Sequence, residues 1–199
     1  MVRVALKLDL SANQITVGGF AVGVVGCYFL AKGFLLGAVL VNVWALLDYV
    51  DGEVARRRGI ANDFGRFLDN LADIAIASIL FVSIGIVASR IAYSWVYVAM
   101  GGMIAIVRLY TQVIGYNFWQ AKRRHPNQSL QLAGSPNRAV MTIGVSLDNV
   151  TGFIMPAIIV GTIFSALDAV LFVWVIVSVV SVTYVFTQAV RKVRNEIHV

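Results

Sequence analysis

An all-α fold built from membrane-spanning helices is what this chain of 199 residues predicts, and three observations carry it. Only 13% of its residues are charged and 59% are hydrophobic, where a soluble domain is about a quarter charged. The mean hydropathy is +0.83. Apolar runs near or above the ~20 residues needed to cross a bilayer recur along the whole length.

The runs give six predicted spans, at 15–31, 34–54, 64–88, 94–118, 140–164 and 169–190, within one membrane domain over 1–199. Ahead of them Arg3, Lys7 and Asp9 alternate with Val and Leu, a short amphipathic segment suited to the interface. The first span has no cleavage-type motif after it and reads as an uncleaved helix. Its Gly19, Gly23 and Gly26 offer a smooth face for a neighbouring helix. It also holds Cys27, the only cysteine, which excludes a disulfide framework and leaves a packing role. The second span runs into Arg56, Arg57, Arg58 and Gly59, and Asn62 and Asp63 open the third: a stop signal followed by a start signal, as in a tight antiparallel connection. Tyr93, Trp95 and Tyr97 at one end of the fourth span, with Tyr116 and Trp119 at the other, form interfacial belts. The longest polar connection, 120–137, precedes the fifth span, where Pro156 predicts a kink. No internal repeat or low-complexity tract interrupts the series.

Lys and Arg decide the orientation. Arg3 and Lys7, Arg56 to Arg58, Arg66, Lys122 to Arg124, Arg138, Arg191, Lys192 and Arg194 fall on one face, against Lys32 and Arg90 on the other. Both termini and the 2–3 and 4–5 connections are therefore expected in the cytoplasm. The net charge of +6 and pI near 9.8 do not indicate nucleic acid. The cations are spread over juxtamembrane ends, where anionic headgroups meet them, and are not gathered on a reading element.

Against this background four carboxylates stand out. Asp48 and Asp51 close the second span, and Asp69 and Asp73 open the third. An aspartate inside the bilayer costs about 2.5–3.5 kcal/mol on insertion scales, so four without compensation cost roughly 10 kcal/mol or more. At about 100° per residue, Asp48, Asp51 and Ala55 share one helix face, while Gly65, Asp69 and Asp73 step by four along another. Folding the chain back near residue 61 sets Asp51 level with Asp69 and Asp48 level with Asp73. An all-oxygen cluster of this kind suits Mg²⁺ or Mn²⁺, with no thiolate or imidazole to favour zinc. Intramembrane aspartates also serve proton relays in ion-coupled transporters. Such a transporter should show inverted repeats, and a scaffold gives no reason for the spacing.

Written as a pattern, residues 48–73 are D-x-x-D-G-x-x-A-R-x8-G-x3-D-x3-D. This resembles the signature of the CDP-alcohol phosphotransferase family, with Asp48, Asp51, Gly52, Ala55, Arg56, Gly65, Asp69 and Asp73 at its eight fixed positions. The resemblance implies a six-span enzyme, a homodimer, that moves a phospho-alcohol group from a CDP-linked donor to the hydroxyl of a second alcohol and releases CMP. It implies two divalent ions held by Asp48, Asp51 and Asp69, with Asp73 contacting metal and acting as general base. Gly52, Ala55 and Gly65 would let the nucleotide approach the helix backbones, and Arg56 would contact nucleotide or phosphate. Ser11-Ala-Asn13-Gln-Ile-Thr16 is similar to a Pro-Asn-x-x-Thr element of the family, with Ala12 in place of proline, which makes Asn13 and Thr16 nucleotide-pocket candidates.

The donor expected is CDP-diacylglycerol or a diether counterpart, since a site between membrane helices leaves lipid tails in hydrocarbon. The acceptor is a small polar alcohol such as inositol phosphate or glycerol phosphate. Arg108, ionised and well inside the fourth span, and Arg138 at the start of the fifth are its phosphate-binding candidates. Pairing of Arg108 with an acidic residue is the competing reading, and Asp148 is a further candidate for the same cavity. The stretch 65–73 is similar to that of phosphatidylglycerophosphate synthases, except at Asn70 and Ile74, and Asp51-Gly-Glu-Val-Ala-Arg56 is equally similar to members that handle inositol phosphate. A soluble CDP-alcohol donor with a lipid or inositol phosphate acceptor is the alternative assignment.

Overall fold

The computed structural model describes residues 2, 11–59, 63–124 and 154–197. Six helices run through them: α1 (Ala12–Ala31), α2 (Leu35–Arg58), α3 (Asp63–Ile91), α4 (Val96–Arg124), α5 (Ile154–Ile163) and α6 (Leu167–Ile197). No strand occurs among the described residues, as the all-α expectation requires. α1, α2 and the Phe67–Ile91 part of α3 are long and apolar enough to cross a membrane. The described parts of the others add the shorter apolar stretches Val96–Tyr110, Ile154–Ile163 and Leu167–Val180. Against six predicted spans, three full-length ones are therefore seen. Residues 140–153 of the fifth, with Asp148, lie outside the described residues, and so does the phosphate candidate Arg138.

Local sequence explains the helix ends. Ser11 caps α1 in extended geometry: its hydroxyl accepts from the Gln14 amide at 3.2 Å, and the Gln14 side chain accepts from the Ser11 amide at 2.9 Å. This reciprocal capping box satisfies two orphan donors. α2 ends at Gly59, whose φ of 66° lies in the left-handed region that glycine enters without strain. Its three arginines in the last turn complement the helix dipole. Tyr93 and Ser165, both at φ 51°, turn the chain between α3 and α4 and between α5 and α6. Pro156 stands in the first described turn of α5, so the kink expected there involves residues outside the described set.

The core runs through the apolar half of the bundle. Cys27, Leu30, Val41, Leu80, Phe81, Ile84, Ile158 and Leu171 are completely buried, which gives Cys27 its packing role. The glycine face of α1 lets α2 and α3 approach closely: a Cβ on Gly23 would meet Ile76 Cδ1 at 2.9 Å, and one on Gly26 would meet the Val41 amide nitrogen at 2.9 Å. Polar ties also cross the apolar half of the bundle. Asn42 Nδ2 donates to the Met155 carbonyl at 3.1 Å, joining α2 to α5, and Arg90 donates to the Ala31 carbonyl at 2.9 Å, joining α3 to α1. Tyr93 and Trp95, 96% and 77% exposed, fit the predicted belt at that end of α4, whereas Tyr97 is drawn into the core. Val2, from the segment expected at the interface, packs with Leu47 against Ile15, Val50 and Val54.

The arrangement of the first three helices positions the site. α1 packs extensively on α2 and also on α3, whereas α2 and α3 make few direct contacts among the described residues. The two acid-bearing helices thus lean on α1 from either side.

Candidate functional site

The carboxylates converge across the gap that α1 spans. Asp48 and Asp51 of α2 and Asp69 of α3 each present an oxygen, and the three atoms lie within 4.8 Å of one another. Asp73 joins through Asp48, whose carboxyl is in hydrogen-bond contact with those of both Asp73 and Asp69. The two helical stripes, offset by three residues on α2 and four on α3, meet at one level as antiparallel geometry requires.

Their surroundings are far from bulk water. Asp51 is 3% exposed and accepts a 2.6 Å hydrogen bond from Thr16 Oγ1. Asp69 Oδ1 is buried without a hydrogen-bond partner among the described residues. A buried carboxylate oxygen with no donor, beside two further carboxylates, leaves a large desolvation and repulsion cost uncompensated. The donor set fits a hard divalent cation: it is entirely oxygen, it comes from two elements, and its orphaned atom is an acceptor. The nearby cations Arg56 and Arg57 spend their charge on Glu53 instead of on these aspartates.

A cleft opens beside the cluster between α1, α2 and α3, lined by Ile15, Thr16, Gly19, Trp44, Asp48, Asp51 and Ala72. It is a narrow crevice with essentially no free volume, so a ligand reaching the cluster requires its walls to part. Trp44 and Ile15 were not singled out from the sequence, where they read as ordinary apolar residues of a span.

The remaining sequence candidates separate. Thr16 reaches the cluster, bonded to Asp51. Asn13, three residues earlier, is exposed on the first turn of α1. Arg56 lies along its own helix: its guanidinium meets Glu53 at 3.1 Å and covers Gly52, where an added Cβ would find Arg56 Nη1 at 3.4 Å. Glu53 also accepts from Arg57 at 2.7 Å, so it is paired, with both partners more than half exposed. Such exposed pairs are screened by solvent and contribute little to stability. Freeing Arg56 for a ligand is therefore cheap. Ala55 and Gly65 are half-buried on the two facing helices.

Arg108 is buried at 8% exposure with its guanidinium 5.8 Å from the centroid of the Phe81 ring, which stacks in turn on Trp174 at 6.2 Å. Gly101 on α4 abuts Phe81 and Gly85 on α3. Arg108 is seven residues further along α4. Next to it in the bundle, Trp174 Nε1 and Ser178 Oγ of α6 are buried without hydrogen-bond partners among the described residues. Neither was flagged by the sequence, although a serine among Val and Ile in a span is a readable signal.

Comparison with known proteins bears on the same segment. The chain is 38% identical over 77 residues to an archaetidylinositol phosphate synthase of Pyrococcus horikoshii, covering 38% of this chain and 41% of the relative. It is 31% identical over 119 residues to a phosphatidylinositol phosphate synthase of Corynebacterium glutamicum, covering 57% and 52%. With a CDP-diacylglycerol–serine O-phosphatidyltransferase of Bacillus subtilis it shares 35% identity over 82 residues, covering 41% and 42%. The chain thus aligns with about half, or less, of the length of these curated relatives. The family model for CDP-alcohol phosphatidyltransferase matches residues 9–147, a stretch that takes in α1, α2, α3 and the acidic cluster between them; the chain belongs to the CDP-alcohol phosphatidyltransferase family.

Proposed function

We propose that this protein transfers a phosphatidyl group, or its diether equivalent, from a CDP-linked lipid to the hydroxyl of a small polar alcohol and releases CMP. The observation that carries the proposal is the convergence of Asp48, Asp51 and Asp69 within 4.8 Å, with an orphaned Asp69 oxygen, between helices apolar enough for a bilayer. In this reading the chain is a multi-pass membrane protein of six spans, with the site and both termini on the cytoplasmic side, and it works as a homodimer. The Lys and Arg asymmetry supports the orientation.

Asp48, Asp51, Asp69 and Asp73 would hold two divalent cations, Mg²⁺ or Mn²⁺. Bound there, the ions neutralise the pyrophosphate and the charge that develops on it during displacement. The protein's own part is binding, orientation and proton transfer. Asp73 takes the proton of the acceptor hydroxyl while that oxygen forms a bond to the lipid-bearing phosphorus. The bond from that phosphorus to the bridging oxygen breaks in line, and CMP leaves with the bridging oxygen. Gly52, Ala55 and Gly65 keep the helix faces low where the nucleotide lies, Arg56 swings from Glu53 to meet it, and Asn13 borders the entrance. Lipid tails stay among the exposed apolar side chains of the bundle.

For the acceptor we favour a phosphorylated polyol, inositol phosphate first. Two of the three relatives described above carry inositol phosphate products in their names. Arg108, a cation buried within the bundle on α4, is proposed as a partner for the acceptor phosphate, and Arg138 is proposed to share that role. The test is CMP release by purified protein from CDP-diacylglycerol or a diether analogue with Mn²⁺ and a panel of inositol phosphate, glycerol phosphate, serine and inositol. Release with a phosphorylated polyol is expected. Absence of CMP with every acceptor, and with soluble CDP-alcohol donors as well, overturns the assignment.

A further inference from the structure

We propose that Thr16 is a positioning residue that engages one oxygen of Asp51 and so turns the other toward Asp48, Asp69 and the divalent cation; the inference rests on the metal-site reading above. A threonine hydroxyl has one proton to give. Thr16 Oγ1 lies 2.6 Å from Asp51 Oδ2 and 3.1 Å from the carbonyl of Ala12. The nearer acceptor is a carboxylate, and a charge-assisted bond is the stronger. Other hydroxyls in the bundle behave differently: Ser78, Ser83 and Thr162 sit 2.8, 2.8 and 2.7 Å from the carbonyl one turn back. Only at Thr16 among these has the bond to the helix backbone lengthened in favour of a side chain from another helix.

The turn that carries Thr16 is anchored for this purpose. The capping box at Ser11 and Gln14 closes it from one side, and Ile15, 6% exposed, seats it against Val50 and Val54 on α2. Thr16 lines the cleft together with Asp48 and Asp51. Among the described residues the α2 and α3 backbones make few contacts with each other and both pack on α1, which therefore helps set the angle at which Asp51 faces Asp69. Partners of this type, one shell out from the ion, typically contribute about 10–100-fold to metal affinity.

The test is a Mn²⁺ titration, read by the electron paramagnetic resonance signal of free Mn²⁺, on the full chain in lipid nanodiscs, with melting followed separately in EDTA. Wild type should bind Mn²⁺ and Asp69→Asn should not. Thr16→Val and Thr16→Ala should both weaken Mn²⁺ binding about tenfold or more, while Thr16→Ser restores it, and melting in EDTA should not track the loss. Turnover should show the same pattern as a raised Mn²⁺ requirement. If wild type and the Val and Ala variants bind Mn²⁺ equally, Thr16 is a tie between helices and the inference is overturned with the metal site intact. It is overturned equally if the Ser variant is as weak as the others. If wild type itself takes up no Mn²⁺, the metal reading falls first.

Discussion

The two halves of this bundle obey opposite rules. In the apolar half, backbones touch: a Cβ on Gly26 would press on the Val41 backbone, and one on Gly101 would collide with the Phe81 carbonyl. In the acidic half, α2 and α3 hold their backbones apart and point carboxylates into the space between them. Dispersion and burial stabilise the first half. The second carries charge that its own residues do not neutralise. The contrast teaches that a membrane protein can concentrate its cohesion at one depth and keep a strained, cation-seeking site at another.

Substitution of Asp69 tests the contrast most severely. Asp69→Asn should lower CMP-forming turnover by about three orders of magnitude or more, while the metal-free protein melts higher than wild type in EDTA because one carboxylate crowded against others has gone. Near-normal turnover would remove Asp69 as a ligand, and a lower melting temperature would show that the acidic half is cohesive after all. Gly101→Ala addresses the other half: forcing a methyl against the Phe81 carbonyl should cost about 1–3 kcal/mol of stability, read as a lower melting temperature in nanodiscs. An unchanged melting point would mean that α3 and α4 part without penalty.

Arg108 lies where the halves meet. Arg108→Ala should raise KM for a phosphorylated acceptor about tenfold, the scale of one charge-assisted contact, and leave KM for the CDP donor within about twofold. Equal effects on both would make Arg108 a structural cation, held over Phe81 for packing. The smallest effect belongs to Asn42→Ala. Losing the bond to the Met155 carbonyl should cost about 0.6 kcal/mol, the average of such bonds between membrane helices, with turnover unaltered. A loss of turnover there would show that the α2–α5 tie reaches the site.

Much of this was legible before any coordinates. The spacing of Asp48, Asp51, Asp69 and Asp73 around Gly59 implied one level for all four, because helical periodicity and a short connection leave little freedom. The span limits agree with α1, α2 and α3 to within a turn. Arg56 shows where local reasoning stopped: its place in the pattern suggested a ligand contact, yet in the folded chain Glu53, three residues away, holds it. Thr16 shows the converse. The motif suggested a nucleotide contact, but its acceptor, 35 residues later, was visible only once α1 lay against α2.

By itself the sequence determined which stretches are apolar enough to cross a membrane, where helices start and stop, and that four acids cluster at a cost, since hydropathy, capping and charge cost are properties of short segments. Tertiary packing alone decided that α2 and α3 stand apart across α1, that Thr16 engages Asp51, and that Arg108 rests on Phe81 beside Trp174. Those facts depend on which side chains fill the space between helices distant in the chain, and only the close packing of the bundle specifies that.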